Sequence, residues 1–224
     1  MSVWIKLCGT TSLADARLAV EAGADAVGFV FAPSPRQVTV SEAAAIVSHL
    51  PKTVEKIGVF VDAPLDEIYS TVREAGLTGV QLHFDAAPEL PAKLRARLGP
   101  GLQVLRVVHF GAVAGAAALV AGQIAGYARD PHVHGVLVDS WTVGAVGGTG
   151  VAFDWVEAGK TVFGEGARLK LIAAGGLTPE NVAEAIAVLR PWGVDVVSGV
   201  EAEPRRKDAV KVRAFVEKAR SACK

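Results

Sequence analysis

The stretch Leu169-Lys170-Leu171-Ile172-Ala173-Ala174-Gly175-Gly176-Leu177-Thr178-Pro179-Glu180 holds the fold in miniature. Residues 169–173 form a short run that is apolar at all but one position and does not alternate. That is the pattern of a strand buried on both faces, as in a parallel sheet. Two glycines then allow a tight turn. Thr178 precedes Pro179, which reads as a cap followed by a proline at the first helical position. A helical pattern follows over 179–189. Strand, turn and helix make one βα unit.

The same unit repeats outward in both directions. Strand-like runs fall at 3–7, 26–31, 55–61, 79–83, 103–109, 135–139, 169–173 and 194–198. Helical patterns fall between and after them, at 12–22, 41–49, 65–75, 89–98, 114–127, 153–163, 179–189 and 208–220. Ser12 and Ser41 read as caps, with Asp15 and Glu42 in the first turns. Gly23, Gly76 and Gly99 read as left-handed helix stops. No linker or low-complexity tract interrupts the series. An open sheet would leave edge strands that are shorter and more charged, and none of that kind stands out. The 224 residues therefore predict an α/β chain, a single (β/α)8 barrel of the TIM type with a closed parallel eight-stranded sheet spanning 1–224, within the usual range of about 200 to 400 residues.

Lys plus Arg and Asp plus Glu both number 23, so the net charge is zero. That excludes the basic field a nucleic-acid binder needs. A composition of 51% hydrophobic and 21% charged residues excludes disorder. The two cysteines, Cys8 and Cys223, stand at opposite ends of the chain, which excludes a disulfide scaffold and a structural zinc site. His109, His132 and His134 form no helical metal motif, so no metal is assigned. No apolar run reaches the roughly 18 residues of a membrane span, and residues 1–6 lack the apolar core of a secretory signal. The expectation is a cytoplasmic protein without nucleic-acid or membrane partners, monomeric or homodimeric, acting on a small phosphorylated molecule.

That last expectation comes from the strand ends, where a barrel of this kind places its site. Glycines cluster after the last three strands: Gly147-Gly148-Thr149-Gly150, Gly175-Gly176 and Ser198-Gly199. Their backbone N–H groups can approach an anion closely, and the loops after strands seven and eight are the recurrent phosphate site of the fold. Cys8 ends the first strand, and two positions earlier Lys6 points to the same side. An inward lysine demands a partner or a polar cavity. A thiolate at Cys8 would serve as nucleophile or base if its pKa were lowered. Asp139 ends an apolar run, where desolvation would raise its pKa and let it hold a proton. Arg36, in a proline-stiffened loop, offers a bidentate grip for a carboxylate. His83 and Arg106 read as lining the cavity, or as pairing with neighbours such as Asp85. On these residues alone, another phosphosugar enzyme and a barrel that only binds a phosphorylated ligand both stay open.

Together the motifs resemble the phosphoribosylanthranilate isomerase family. The resemblance runs through Lys6-Leu7-Cys8-Gly9-Thr10-Thr11, Ser34-Pro35-Arg36-Gln37-Val38, Gly58-Val59-Phe60, Val80-Gln81-Leu82-His83 and Asp139. It continues through Gly147-Gly148-Thr149-Gly150 with Phe153-Asp154-Trp155, Ala174-Gly175-Gly176-Leu177, 194–201 and Lys207-Asp208. It implies a cofactor-free Amadori rearrangement in tryptophan biosynthesis. In this pattern Cys8 matches the general base, Asp139 the general acid, Arg36 the residue that contacts the anthranilate moiety, and the glycine loops the phosphate site. Two departures stand out. Phe84 occupies a position where the family often has glycine, and Glu203-Pro204-Arg205-Arg206 replaces a glycine-rich spacer.

Overall fold

Strands that are apolar on both faces need cover on both sides. A sheet closed on itself gives its inner face a core, and helices cover the outer face. The computed structural model describes residues 2–83, 87–111, 116–141 and 169–223. Strands β1 (Trp4–Leu7), β2 (Ala26–Val30), β3 (Glu55–Val61), β4 (Gly79–His83), β5 (Gln103–Gly111), β6 (Gly135–Trp141), β7 (Lys170–Ala174) and β8 (Gly193–Val196) close into a barrel in chain order. Every neighbouring pair is parallel, including β1 with β8 across the seam. Helices α1 (Leu13–Ala22), α2 (Val40–Val47), α3 (Leu65–Ala75), α4 (Leu90–Leu98), α5 (Ala116–Tyr127), α6 (Val182–Leu189) and α7 (Ala209–Ser221) follow β1 to β5, β7 and β8. The expected helix at 153–163, the glycine run at 147–150, and Phe84 and Asp85 lie outside the described residues.

The closed sheet gives the protein two cores. Inside the barrel, Ala26, Ile57, Leu105, Val107, Leu137, Ile172 and Ala174 pack together, with Trp4 at the foot. Trp4 stacks on Trp192 with ring centroids 5.1 Å apart. Between sheet and helices lies the larger core, where Ile68, Leu94, Leu189 and Phe215 are each at most 1% exposed.

Local chemistry moves several expected boundaries. Thr39, not Ser41, caps α2: its hydroxyl accepts from Glu42 N, and Glu42 reaches back to Thr39 N, closing a capping box. Helix α6 begins at Val182, three residues after Pro179. The Asn181 carboxamide bonds Thr178 N at 2.8 Å and Gly176 O at 2.9 Å, which keeps the first residues in the loop. Gly23 and Gly76 are left-handed stops as expected. Gly99 ends α4 differently, with φ 99° and ψ 162°. Strand β8 stops at Val196 and passes into one 3-10 turn, Ser198–Val200. An unexpected antiparallel hairpin follows, β9 (Glu201–Glu203) with β10 (Arg206–Lys207).

The interior core sets a testable energy. Ile172→Ala, at a fully buried position in the barrel, should cost about 2 to 5 kcal/mol through lost transfer energy and a residual cavity. Urea unfolding should show a lower midpoint with an unchanged m-value.

Candidate active site

A cavity of about 250 Å³ opens at the carboxyl ends of the strands. Cys8, Arg36, His83, His109, Asp139, Asp195 and the Gly175–Gly176 and Ser198–Gly199 loops all line it. The sequence-predicted thiol and carboxyl therefore face one space, with two of the three predicted glycine loops beside them.

Cys8 sits where β1 ends, held by its backbone. Its N–H donates to Val196 O at 2.9 Å, and its carbonyl accepts from Lys207 Nζ at 2.7 Å. On the neighbouring strand Gly28 makes room for the sulfur, since a Cβ there would stand 2.5 Å from Cys8 Sγ. Burial pushes the Cys8 thiol up. The Lys6 charge opposes that rise, and the Asp195 charge adds to it. The condition attached to Cys8, a pKa lowered by its surroundings, is therefore not met: desolvation outweighs the nearby cation and favours the protonated thiol.

Lys6 and Asp195 are register partners across the β1–β8 seam. Lys6 Nζ meets Asp195 Oδ1 at 2.9 Å, and Lys6 is 0% exposed. Burial, the largest single effect, pulls the ammonium toward neutrality, yet Asp195 and Cys8 together outweigh it and hold the Lys6 pKa above its ordinary value. Lys6 is absent from the cavity wall, which corrects the expectation that it contacts substrate: it lies below the cavity and holds Asp195, which does line it.

Asp139, in register with His109, lies on β6 and lines the cavity. Burial pushes its carboxyl up to about 7, with the Asp195 charge adding and Lys6 opposing. Both histidines are kept neutral. Burial lowers His83 to about 4, with His109 and Lys6 contributing, and burial also lowers His109. The His83 ring reaches Gln81 Nε2 at 2.9 Å and lies 5.8 Å from the His109 ring.

Arg36 lies at the rim with one edge already engaged. Its Nε and Nη2 bond Glu201 at 2.8 and 2.6 Å, so Glu201 occupies the Nε–Nη2 edge of the guanidinium and not the Nη1–Nη2 edge. Glu201 also meets Lys207 Nζ at 3.4 Å. Burial acts to raise the Glu201 carboxyl, but the Arg36 hydrogen bonds and the Lys207 charge hold it below the ordinary carboxylate range. Arg106 is a second correction. It points outward into the helix layer, where Nη2 meets Tyr127 Oη at 3.2 Å and the guanidinium lies 4.8 Å from the Tyr127 ring centre. Inward positions on β5 carry Leu105, Val107 and His109 instead.

The glycine loops need their glycines. Gly175 and Gly176 have φ of 84° and 63°. A Cβ on Gly199 would lie 1.9 Å from Leu177 O, so the loops after β7 and β8 pack backbone to backbone. Sequence reasoning passed over Asp195, His109, Glu201 and Lys207 as site residues. A carboxylate inside an apolar strand, Val194-Asp195-Val196, was the available signal, since a buried acid requires a cation. Among the described residues no group of three or more His, Cys, Asp or Glu side chains is placed to hold a metal, and no helix is long and apolar enough to cross a membrane.

Fold and site together define a (β/α)8-barrel enzyme whose polar cavity opens at the carboxyl ends of the strands. The family model described as N-(5'phosphoribosyl)anthranilate (PRA) isomerase matches residues 5–218, and the chain belongs to that isomerase family. It is 43% identical over 213 residues to the N-(5'-phosphoribosyl)anthranilate isomerase of Pelobacter propionicus, covering 95% of this chain and 93% of that one. Identity to the Myxococcus xanthus isomerase is 44% over 223 residues, covering 99% and 98%. The solved phosphoribosyl anthranilate isomerase of Thermotoga maritima aligns with a TM-score of 0.84 at 36% identity, covering 98% of this chain and 99% of that one. A solved phosphoribosyl anthranilate isomerase in complex with reduced 1-(o-carboxyphenylamino)-1-deoxyribulose 5-phosphate gives 0.79 at 34% identity, with the same coverage.

The raised carboxyl makes a stability prediction. Asp139 titrates near 7 when folded against 3.8 for the free group. A folded pKa above the unfolded one means that the native state binds the extra proton, so its penalty is absent below about pH 4 and grows as pH rises toward 7. Asp139→Asn should therefore be more stable than the parent at pH 8, by a few kcal/mol at most. Denaturant unfolding at pH 8 and pH 4 should show that gain shrinking at the lower pH.

Proposed function

We propose that this isomerase-family chain converts N-(5-phospho-β-D-ribosyl)anthranilate into 1-(2-carboxyphenylamino)-1-deoxy-D-ribulose 5-phosphate, with Asp139 as general acid and Cys8 as general base. One observation carries the reading: a carboxyl raised to about 7 and a thiol line the same cavity. Asp139 gives its proton to the furanose ring oxygen, and the ring opens to a protonated Schiff base. Cys8 takes the proton from C2, which the iminium acidifies, and the electron pair moves to form an enolamine. Tautomerisation gives the ketone. Hydrogen is moved within one molecule, so the sequence of steps balances without an electron acceptor.

The remaining residues bind. The Gly175–Gly176 and Ser198–Gly199 loops offer backbone N–H groups to the phosphate, with Gly147, Gly148, Thr149 and Gly150 as the third loop of the same reading. The Nη1–Nη2 end of Arg36 takes the anthranilate carboxylate, since Glu201 fills the other edge. Neutral His83 donates or accepts beside the ribose without adding charge. All of these groups come from one chain, so the reading holds for a monomer and a homodimer alike. A reducing cytoplasm suits it, because Cys8 must stay a free thiol.

The pair works in reverse protonation. Catalysis needs the thiolate of Cys8 and the acid form of Asp139, yet the thiol binds its proton more tightly than the carboxyl does. Between the two pKa values the competent form is the minor arrangement of a single shared proton. kcat/KM should therefore rise to about pH 7 as Asp139 loses its proton in the resting enzyme, hold level, then fall as Cys8 ionises. Single-turnover rates and iodoacetamide alkylation across pH test the assignment: alkylation should climb along the alkaline limb. A thiol that ionises on the acidic limb contradicts it. Cys8→Ala and Asp139→Asn should each lose about 10² to 10⁴ in rate; wild-type turnover in both would end the catalytic assignment.

A further inference from the structure

The hairpin β9–β10 grows from the stretch that departs from the family's spacer, and it touches the rim in three ways. Glu201 opens it and holds the Arg36 guanidinium at 2.8 and 2.6 Å. Arg205, at its tip, donates from Nη1 to Pro35 O and to Gln37 O, both at 3.1 Å, the carbonyls on either side of Arg36. Its own carbonyl accepts from Thr11 Oγ1 at 2.9 Å. Lys207 closes the hairpin by binding Cys8 O, Val197 O and Glu201. One side chain thus fixes the guanidinium, another fixes the backbone around it, and a third ties both to the strand that ends in the thiol.

We propose that the β9–β10 hairpin is a clamp on the carboxylate-binding arginine, with Glu201 and Arg205 as positioning residues that act through Arg36. A free arginine side chain loses about 2 kcal/mol of rotamer entropy when it is fixed. Here that ordering is complete before a ligand arrives, which favours binding through preorganisation. The Glu201 and Lys207 charges offset each other, so the cluster of three presents one net positive charge, matched to one carboxylate. Arg205 adds a contact that a glycine cannot make. It adopts φ +77°, a conformation glycine takes without strain, yet glycine would bring no guanidinium to the two carbonyls.

The proposal rests on Arg36 binding the anthranilate carboxylate, and the test keeps the two claims apart. Two probes are used: reduced 1-(o-carboxyphenylamino)-1-deoxyribulose 5-phosphate, and the same compound without its ring carboxylate. Wild-type protein that neither turns over substrate nor binds the first probe overturns the proposed function itself. With activity intact, Glu201→Gln should weaken the first probe and raise KM about tenfold, the scale of a charge-assisted hydrogen bond. kcat should change less than KM. Arg205→Gly should weaken the first probe by about threefold, the small end of the hydrogen-bond scale because these contacts are solvent-exposed, with no loss of thermal stability because its backbone strain is relieved. Neither substitution should affect the probe without the carboxylate, and neither should weaken binding further in an Arg36→Ala background. Equal losses on both probes, or additive losses with Arg36→Ala, overturn the clamp. If Glu201→Gln does not fold, Arg205→Gly carries the same comparison alone, and unchanged affinity there overturns it.

Discussion

A lysine and an aspartate at the bottom of the cavity, 2.9 Å apart and joined across the seam where the sheet closes, set the terms for everything above them. Neither charge is tolerable there alone. A buried pair of this kind adds little net stability, but removing one partner is severe, about 3 to 5 kcal/mol, because the other charge is stranded. The pair therefore fixes register at the seam. It also adds to the local field: burial is the main cause that raises both Asp139 and Cys8, and in each case the Asp195 charge adds to the rise while the Lys6 charge opposes it. One ion pair thus acts on the thiol and the carboxyl together.

On the proposed roles, a thiol without a lowered pKa still suits the chemistry. A thiolate of low pKa would be a weaker base, permanently open to alkylation and oxidation, and a thiol that keeps its proton at rest avoids both. The proposed acid meets the opposite criterion, since a carboxyl near 7 is half protonated at neutral pH and close to the optimum for giving up a proton. The instability that burial imposes on Asp139 is the thermodynamic counterpart of that readiness.

The barrel was legible because its unit repeats: short apolar runs, glycine turns and capped helices recur from Trp4 to Ser221. That Cys8, Asp139 and the glycine loops at 175–176 and 198–199 line one cavity was legible because strand ends face the mouth of this fold. Arg106 was misread for a physical reason. Strands buried on both faces show no alternation, so the sequence does not reveal which parity points inward, and Arg106 and His109 stand on opposite faces of β5. The partnership of Lys6 with Asp195 spans 189 positions and becomes visible only when the seam closes. The hairpin from Glu201 to Lys207 has no periodicity to announce it, since its purpose lies in hydrogen bonds to side chains and carbonyls at the rim that are distant in sequence.

The seam has a meaning for folding as well. Lys6 and Asp195 stand 189 positions apart, and Lys207 reaches the Cys8 carbonyl across 199. Contacts so distant along a chain must close a long loop before they return any energy, so they are slow to form. Until the sheet closes on itself, Lys6 lacks its counter-ion and the Cys8 carbonyl its lysine. The cavity and the completed barrel therefore arise in one cooperative event.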